Sequence, residues 1–159
     1  MIARWIRFDD RSSRRPRDKL SPIREISELI NAKFKSSYNA SPFITLDEQL
    51  LTFRGKCGFK MFIPSKPGKY GIKLWVLCDS TNSYYINAQV YLGKEGSSRK
   101  VRQSSRVVYE LTDHLTGSGR HLTADFFFTD LTTVRTLLGR KITYTGTLRK
   151  NKGRYLLLC

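Results

Sequence analysis

The residues of this chain whose types and placement could do chemistry are two aspartates, Asp47 and Asp125, and a run of lysines at Lys56, Lys60, Lys66, Lys69 and Lys73. Asp47 stands with Glu48 inside the apolar run ITLDEQLL (44–51), and Asp125 stands inside HLTADFFF (121–128). A carboxylate among apolar neighbours is expensive unless something compensates its charge. A divalent cation would do so, and two carboxylates on adjacent strands holding such ions could activate a water and stabilise the leaving oxygen of a phosphodiester. An arginine or a backbone donor would compensate a buried aspartate equally well, and the pattern alone leaves both readings open. The five lysines would then form a phosphate-contacting face beside the site, against the blander reading of a solvated lysine surface.

The elements that must position these groups follow from periodicity. Reading Phe43 to Phe53 as a strand, the two-residue period puts Asp47 on one face with Thr45 and Gln49, and Glu48 on the other with Leu46 and Leu50. At most one of the two adjacent carboxylates can point into a given site. Upstream, RSSRRPRDK (11–19) has almost nothing to bury and reads as a solvated arm, with nuclear import or DNA contact as the functional alternative. Ser21 and Pro22 suit an N-cap and first helical position, after which Ile23, Ile26, Leu29, Ile30 and Phe34 recur at helical spacing. Residues 1–42 are therefore a basic segment plus helix, and 43–159 the main body.

Within that body Phe59 to Ile63 alternates, PSKPGKYG (64–71) is a turn, Ile72 to Cys78 reads as a buried strand, and Tyr84 to Leu92 returns after the DSTNS loop. Asp79 opens that loop and reads as a turn residue. Gly93 to Arg106 is polar and basic, and the helix built on Val107, Leu111 and Leu115 stops near Gly117 and Gly119. A strand over His121 to Phe128, a helix marked by Leu131, Val134 and Leu138, and a strand over Lys141 to Leu148 complete the order. Asp125 falls in mid-strand on this reading, sharing a face with Thr123 and Phe127. A meander followed by alternating helices and strands implies a mixed sheet with helices on its faces.

Composition narrows the partner. The chain has 159 residues, 40% of them hydrophobic and 12% aromatic, which suits one domain with its own core. Its net charge is +16, from 29 Lys and Arg against 13 Asp and Glu, and that surface would draw in a phosphate backbone, with an anionic membrane surface as second candidate. No apolar run approaches the roughly 20 residues that span a bilayer. Cys57, Cys78 and Cys159 are widely spaced without a CxxC pair, so they read as reduced structural thiols. His114 and His121 are too isolated for a metal cluster, and Trp5, Trp75 and Phe126 to Phe128 read as core before they read as base-stacking groups.

The chain resembles the piggyBac-type transposases and the proteins derived from them. The resemblance rests on IRFDDRSSRR (6–15), LDEQLLTFRGKCGFKMFIPSKPGKYGIKLWVLCDS (46–80), VYLGK (90–94), ADFFFTD (124–130) and TGTLRKNK (145–152), in family order. It implies an α/β, RNase H-like fold of the DDE/D integrase and transposase type, a mixed sheet with flanking helices, incomplete at the C-terminus. By position Asp47 matches the family's first catalytic aspartate and Asp125 its second, as catalytic residues and metal ligands. The implied activity is cut-and-paste DNA transposition by metal-dependent phosphodiester hydrolysis and strand transfer at TTAA, with Mg²⁺ or Mn²⁺ as cofactor and the nucleus as compartment. Implied partners are TTAA-flanked transposon ends and a second copy or a full-length transposase. Two departures stand out. Phe126 replaces the Asn usual after the second aspartate, and Asp130 stands where Ser is common. The family's third aspartate lies beyond the TGTLRKNK-like motif, whereas Asp130 is the only acidic residue after Asp125 here. The chain is therefore expected to hold a metal weakly and to be inactive alone, with a non-catalytic DNA-binding or interaction module as the alternative.

Overall fold

The computed structural model describes residues 8–15, 17–93 and 102–148. Its centre is strand β1, Phe43–Thr52, whose alternating side chains bury Ile44 and Leu46 completely while Asp47 and Gln49 face out. β1 pairs antiparallel with β3, Tyr70–Asp79, placing Asp47 opposite Val76 and Glu48 opposite Trp75. The two strands approach closely at Gly71, where a Cβ would lie 2.2 Å from the Leu51 carbonyl oxygen. The short strand β2, Lys60–Phe62, joins the start of β3, and β4, Tyr85–Val90, joins its later part. On its other side β1 pairs parallel with β5, His121–Ala124, which pairs parallel with β6, Thr143–Gly146. β1 is thus the strand where the sheet changes from antiparallel to parallel.

Two helices bury one face of this sheet. α2, Gln103–Thr112, supplies Val107, Val108 and Leu111, and α3, Leu131–Gly139, supplies Leu137; these pack with Ile44, Leu46, Trp75, Leu77 and Leu122 in one core. Asn87 of β4 donates to the Leu111 carbonyl at 3.1 Å, and Thr133 of α3 donates to Ser105 of α2 at 2.8 Å. The opposite face of β1, β5 and β6 carries Phe43, Asp47, Thr123, Thr143 and Thr145, all exposed. Helix α1, Arg24–Ser37, runs along the outer edge of β4, where the Asn31 amide pairs with both the N–H and the carbonyl of Ala88 at 2.9 Å. That side chain substitutes for a neighbouring strand and satisfies an edge that would otherwise be open.

The structure corrects several sequence expectations. β5 stops at Ala124, so Asp125 is not in mid-strand. The Asp125 carboxylate accepts the Phe127 N–H at 3.0 Å and its carbonyl accepts the Phe128 N–H at 3.2 Å, and this turn ends the strand as Asx turns do. The phenylalanine run is accordingly split: Phe128 is 1% exposed, while Phe126 and Phe127 are 41% and 39% exposed. α2 begins at Gln103, earlier than its apolar spacing suggested, directly after Arg102, which takes the left-handed conformation (φ 59°) and whose carbonyl accepts the Arg106 N–H at 3.1 Å. Ser21–Ile23 is a 3₁₀ turn ahead of α1 and no α1 residue is buried, so the packing of that helix runs through Asn31 and aromatic edges and not through an apolar stripe.

The basic arm is more ordered than its composition implies. Asp10 caps a short 3₁₀ turn at Arg11–Ser13, Arg14 pairs with Asp9, and Lys19 donates to the Leu92 carbonyl at 3.1 Å. Asp18 accepts the Leu20 N–H and pairs with Arg24, which holds its carboxyl at about 2. Trp5, Cys159, most of the Gly93–Arg106 stretch and the latter half of TGTLRKNK lie outside the described residues. Among the described residues no helix is long and apolar enough to cross a membrane.

Candidate active site

The last register pair of β1 and β5 is Leu46 with Ala124, so Asp47 on β1 and Asp125 at the turn after β5 each follow it directly. Alternation puts Asp47, in the middle of β1, on the face that α2 and α3 leave open, while Asp125 opens the turn at the carboxyl end of β5. In open sheets that end, at the strand where the topology switches, is where ligands are received. Asp47 is exposed and Asp125 half-buried. One oxygen of each is held by a backbone donor: the Glu48 N–H donates to Asp47 Oδ1 at 2.7 Å, and the Phe127 N–H to Asp125 Oδ1 at 3.0 Å.

Neighbouring groups feel both charges. Burial pushes the Cys78 thiol pKa up, and the Asp47 carboxylate across β3 adds to that rise. Burial likewise raises the Tyr144 hydroxyl, with Asp125 adding to it. Tyr144 lies 2.9 Å from Thr129 Oγ1, which donates to the Asp125 carbonyl at 2.7 Å, so a chain of hydroxyls braces the turn that carries Asp125. Beside Asp47, an open depression of about 440 Å³ is lined by Thr45, Gln49, Val76, Cys78, Ser80 and Tyr85. His121, on the same face, contacts Thr143 at 2.8 Å and Thr145 at 3.0 Å and meets the Phe43 ring edge-on, which is an ordinary sheet-face role.

Gly146 pairs with Ala124, next to Asp125, and a Cβ there would lie 2.3 Å from Thr129 Oγ1 and 3.0 Å from the Ala124 carbonyl. Gly146→Ala is expected to cost about 1–3 kcal/mol, as overpacking typically does. In backbone NMR spectra its shift changes should concentrate on residues 125–129; changes confined to 146 and its chain neighbours would count against this brace.

The five lysines do not form one face. Lys56, Lys60 and Lys69 are exposed, Lys60 donating to the Gly55 carbonyl at 3.1 Å. Lys73 is on the core-side face with Trp75, opposite to Asp47, where its ammonium pairs with Glu48; the Lys66 ammonium lies 3.9 Å from the same carboxylate. Glu48 is thus the group sequence reasoning under-read. Its place on a buried face beside Leu46 and Leu50 required a cation, and Lys73 is that cation. Asp79 is buried by the loop it opens, as its turn role suggested. Asp130 caps α3 by accepting the Thr132 N–H at 3.0 Å.

Among the described residues no group of three or more His, Cys, Asp or Glu side chains could hold a metal ion.

The comparisons agree with one another. A family model described as Transposase IS4 matches residues 1–155. The human PiggyBac transposable element-derived protein 3 is 28% identical over 148 residues, covering 89% of this chain and 25% of the relative. The human Chimeric ERCC6-PGBD3 protein is also 28% identical over 148 residues, covering 14% of that protein. A piggyBac transposase solved by cryo-EM in a synaptic complex with hairpin DNA is 40% identical with a TM-score of 0.86, over 95% of this chain and 33% of the transposase. The chain therefore spans about a quarter of the first relative's length and a third of the solved transposase chain. The mixed α/β architecture is RNase H-like.

Proposed function

Since the chain belongs to the Transposase IS4 family, in its piggyBac-type branch, we propose that it is a piggyBac transposase-derived catalytic-core segment, engaging DNA and presenting Asp47 and Asp125 to a divalent cation. The observation that supports this reading is the register of β1 and β5, whose last pair, Leu46 with Ala124, is followed directly by Asp47 on β1 and by Asp125 at the turn after β5. A cation bound there, Mg²⁺ or Mn²⁺, would supply Lewis-acid stabilisation of the charge that builds on a phosphodiester. Asp47 and Asp125 would hold it, each pre-oriented by its backbone donor, while the exposed face leaves room for a nucleic-acid strand.

Two monodentate carboxylates do not impose the near-octahedral shell that magnesium demands. The reading therefore includes weak cation binding and no efficient hydrolysis or strand transfer by these residues alone. A further carboxylate from outside these residues would complete the shell, with TTAA-flanked DNA as substrate and the nucleus as site of action. Incubating the chain with Mg²⁺ or Mn²⁺ and a TTAA-flanked element tests the catalytic half. Trace nicking that depends on Asp47 supports the reading. Excision as efficient as that of a complete transposase would refute the incompleteness. Salt-sensitive DNA binding indifferent to the cation would move the assignment to a non-catalytic DNA-binding module.

The net charge of +16 supports the DNA half. Of the lysines proposed to touch DNA, Lys56, Lys60 and Lys69 project into solvent, whereas Lys66 and Lys73 are engaged by Glu48. Replacing Lys60 and Lys69 together with Ala is expected to lower the slope of log affinity against log salt by about 2 on duplex DNA, roughly 0.9 for each phosphate no longer neutralised. An unchanged slope in a fluorescence-anisotropy series would remove this surface from the interface.

A further inference from the structure

The two residues whose amides hold the candidate carboxylates meet each other through a third. Glu48 donates its backbone N–H to Asp47, and Phe127 donates its own to Asp125. Strand alternation sends the Glu48 side chain to the face opposite Asp47, and there it pairs with Lys73, whose side chain is 16% exposed. The same ammonium lies 5.6 Å from the centroid of the Phe127 ring, within cation–π range, and 5.9 and 5.7 Å from those of Trp75 and Tyr91. One cation therefore touches both residues that orient the site, Glu48 on β1 and Phe127 on the turn after β5, from behind the sheet.

We propose that Lys73 is a positioning residue, linking Glu48 to Phe127 so that Asp47 and Asp125 keep one relative orientation toward a divalent cation. This rests on the reading of the two aspartates as cation ligands. Core filling alone does not account for the Lys73–Glu48 pair here. A largely buried ion pair recovers little stability over well-packed apolar residues, and methionine would fill the same space among three rings without a desolvation cost. What methionine could not do is hold the Glu48 carboxylate against the Phe127 ring. The β1–β5 ladder ends at the Leu46–Ala124 pair, just before Asp47 and the turn. Lys73 contacts residues on both sides just beyond that pair.

The test compares wild type, Lys73→Met, Lys73→Arg and Glu48→Gln in the whole chain. Mn²⁺ affinity is read from the EPR signal of the free ion, the Glu48 and Phe127 amides from metal-free ¹H–¹⁵N spectra, and stability from urea unfolding. Lys73→Met is expected to weaken Mn²⁺ binding about 10-fold or more, the range seen when outer partners of metal ligands are removed. Both amide resonances should shift together, and the urea midpoint should fall, because Glu48 keeps its charge with only Lys66 near it among the described residues. Lys73→Arg, which keeps the cation and its stacking, should recover most of the affinity. A purely structural lysine would lower the midpoint while leaving Mn²⁺ affinity of the folded chain unchanged, and that result overturns the proposal. Should Lys73→Met not fold, Glu48→Gln removes the same link from the other side, and wild-type affinity in that variant overturns it equally. Mn²⁺ binding that is lost in Asp47→Asn yet intact in Lys73→Met refutes this inference alone. A wild-type chain that binds no Mn²⁺ refutes the ligand reading and this inference with it.

Discussion

An Asp79→Ala variant is expected to lose about 3–5 kcal/mol of folding stability, a large part of the roughly 5–15 kcal/mol that separates a domain from its unfolded chain. Asp79 ends β3 and is 1% exposed. Its carboxylate accepts the Ser41 N–H at 2.6 Å, the Ser41 hydroxyl at 2.9 Å, the Tyr38 hydroxyl at 3.0 Å and the Thr81 N–H at 2.8 Å. It thereby ties the exit of α1 to the entry of β1 and to the β3–β4 loop at one point. Truncation leaves two backbone donors unpaired beside the core, and each unsatisfied buried group costs about 1–3 kcal/mol. Asp79→Asn keeps one acceptor but turns an N–H₂ toward these donors, so an intermediate loss is expected.

The same group gives a pH signature with a definite sign. Burial by itself raises the Asp79 pKa, but the backbone and hydroxyl donors from Ser41, Thr81 and Tyr38 outweigh it and leave the group well below the usual carboxylate range. A depressed folded pKa means that the stabilisation is present above the unfolded value of 3.8 and is lost as pH falls through the folded one. Asp18, held at about 2 by Arg24, titrates in the same direction. Urea midpoints measured below pH 4 should therefore fall with acid in both proteins, more steeply in wild type than in Asp79→Ala. Parallel curves would show that Asp79 is not the anchor described.

Asp47→Asn and Asp125→Asn are each expected to weaken divalent-cation binding by more than the roughly 10- to 100-fold that loss of an outer partner costs, because each removes one of the two proposed ligands themselves. The cause is charge as well as coordination: Asn offers a neutral oxygen to a hard cation that prefers anionic ones. Folding should be little affected by Asp47→Asn, since that side chain is exposed and its held oxygen has a counterpart in the amide. Asp130→Asn serves as control, because asparagine caps a helix as well as aspartate and Asp130 is occupied with Thr132. Mn²⁺ titration of the three variants separates the outcomes. Equal loss in Asp47→Asn and Asp125→Asn supports a shared ion, whereas loss in only one, or in Asp130→Asn as well, would break the pairing.

Much of this protein could be read before folding. The alternation of Phe43 to Thr52 required a half-buried strand with Asp47 and Glu48 on opposite faces, and the chain has it. Strand and helix order and the turn role of Asp79 were also legible, because they depend on local pattern. The extent of β5 was not. HLTADFFF reads as eight continuous strand residues, yet the Asp125 side chain takes the amide that would have continued the ladder, and a side chain competing with backbone pairing leaves no mark on hydrophobic periodicity.

What the sequence by itself determined was the composition of the site: two aspartates in apolar company, one of them beside a glutamate, a strongly basic surface, and an element order that yields a mixed sheet. Those depend on residue types and short-range period, which survive in any context. Only the tertiary structure decided that Asp47 and Asp125 each directly follow the last pair of β1 and β5, through a parallel pairing between strands more than seventy residues apart. It alone sent Lys73 behind the sheet to Glu48 instead of outward with Lys60 and Lys69. The reason is physical: a lysine stem is long enough to reach either solvent or a half-buried carboxylate, and which it reaches depends on the face its strand turns toward a partner far away in sequence.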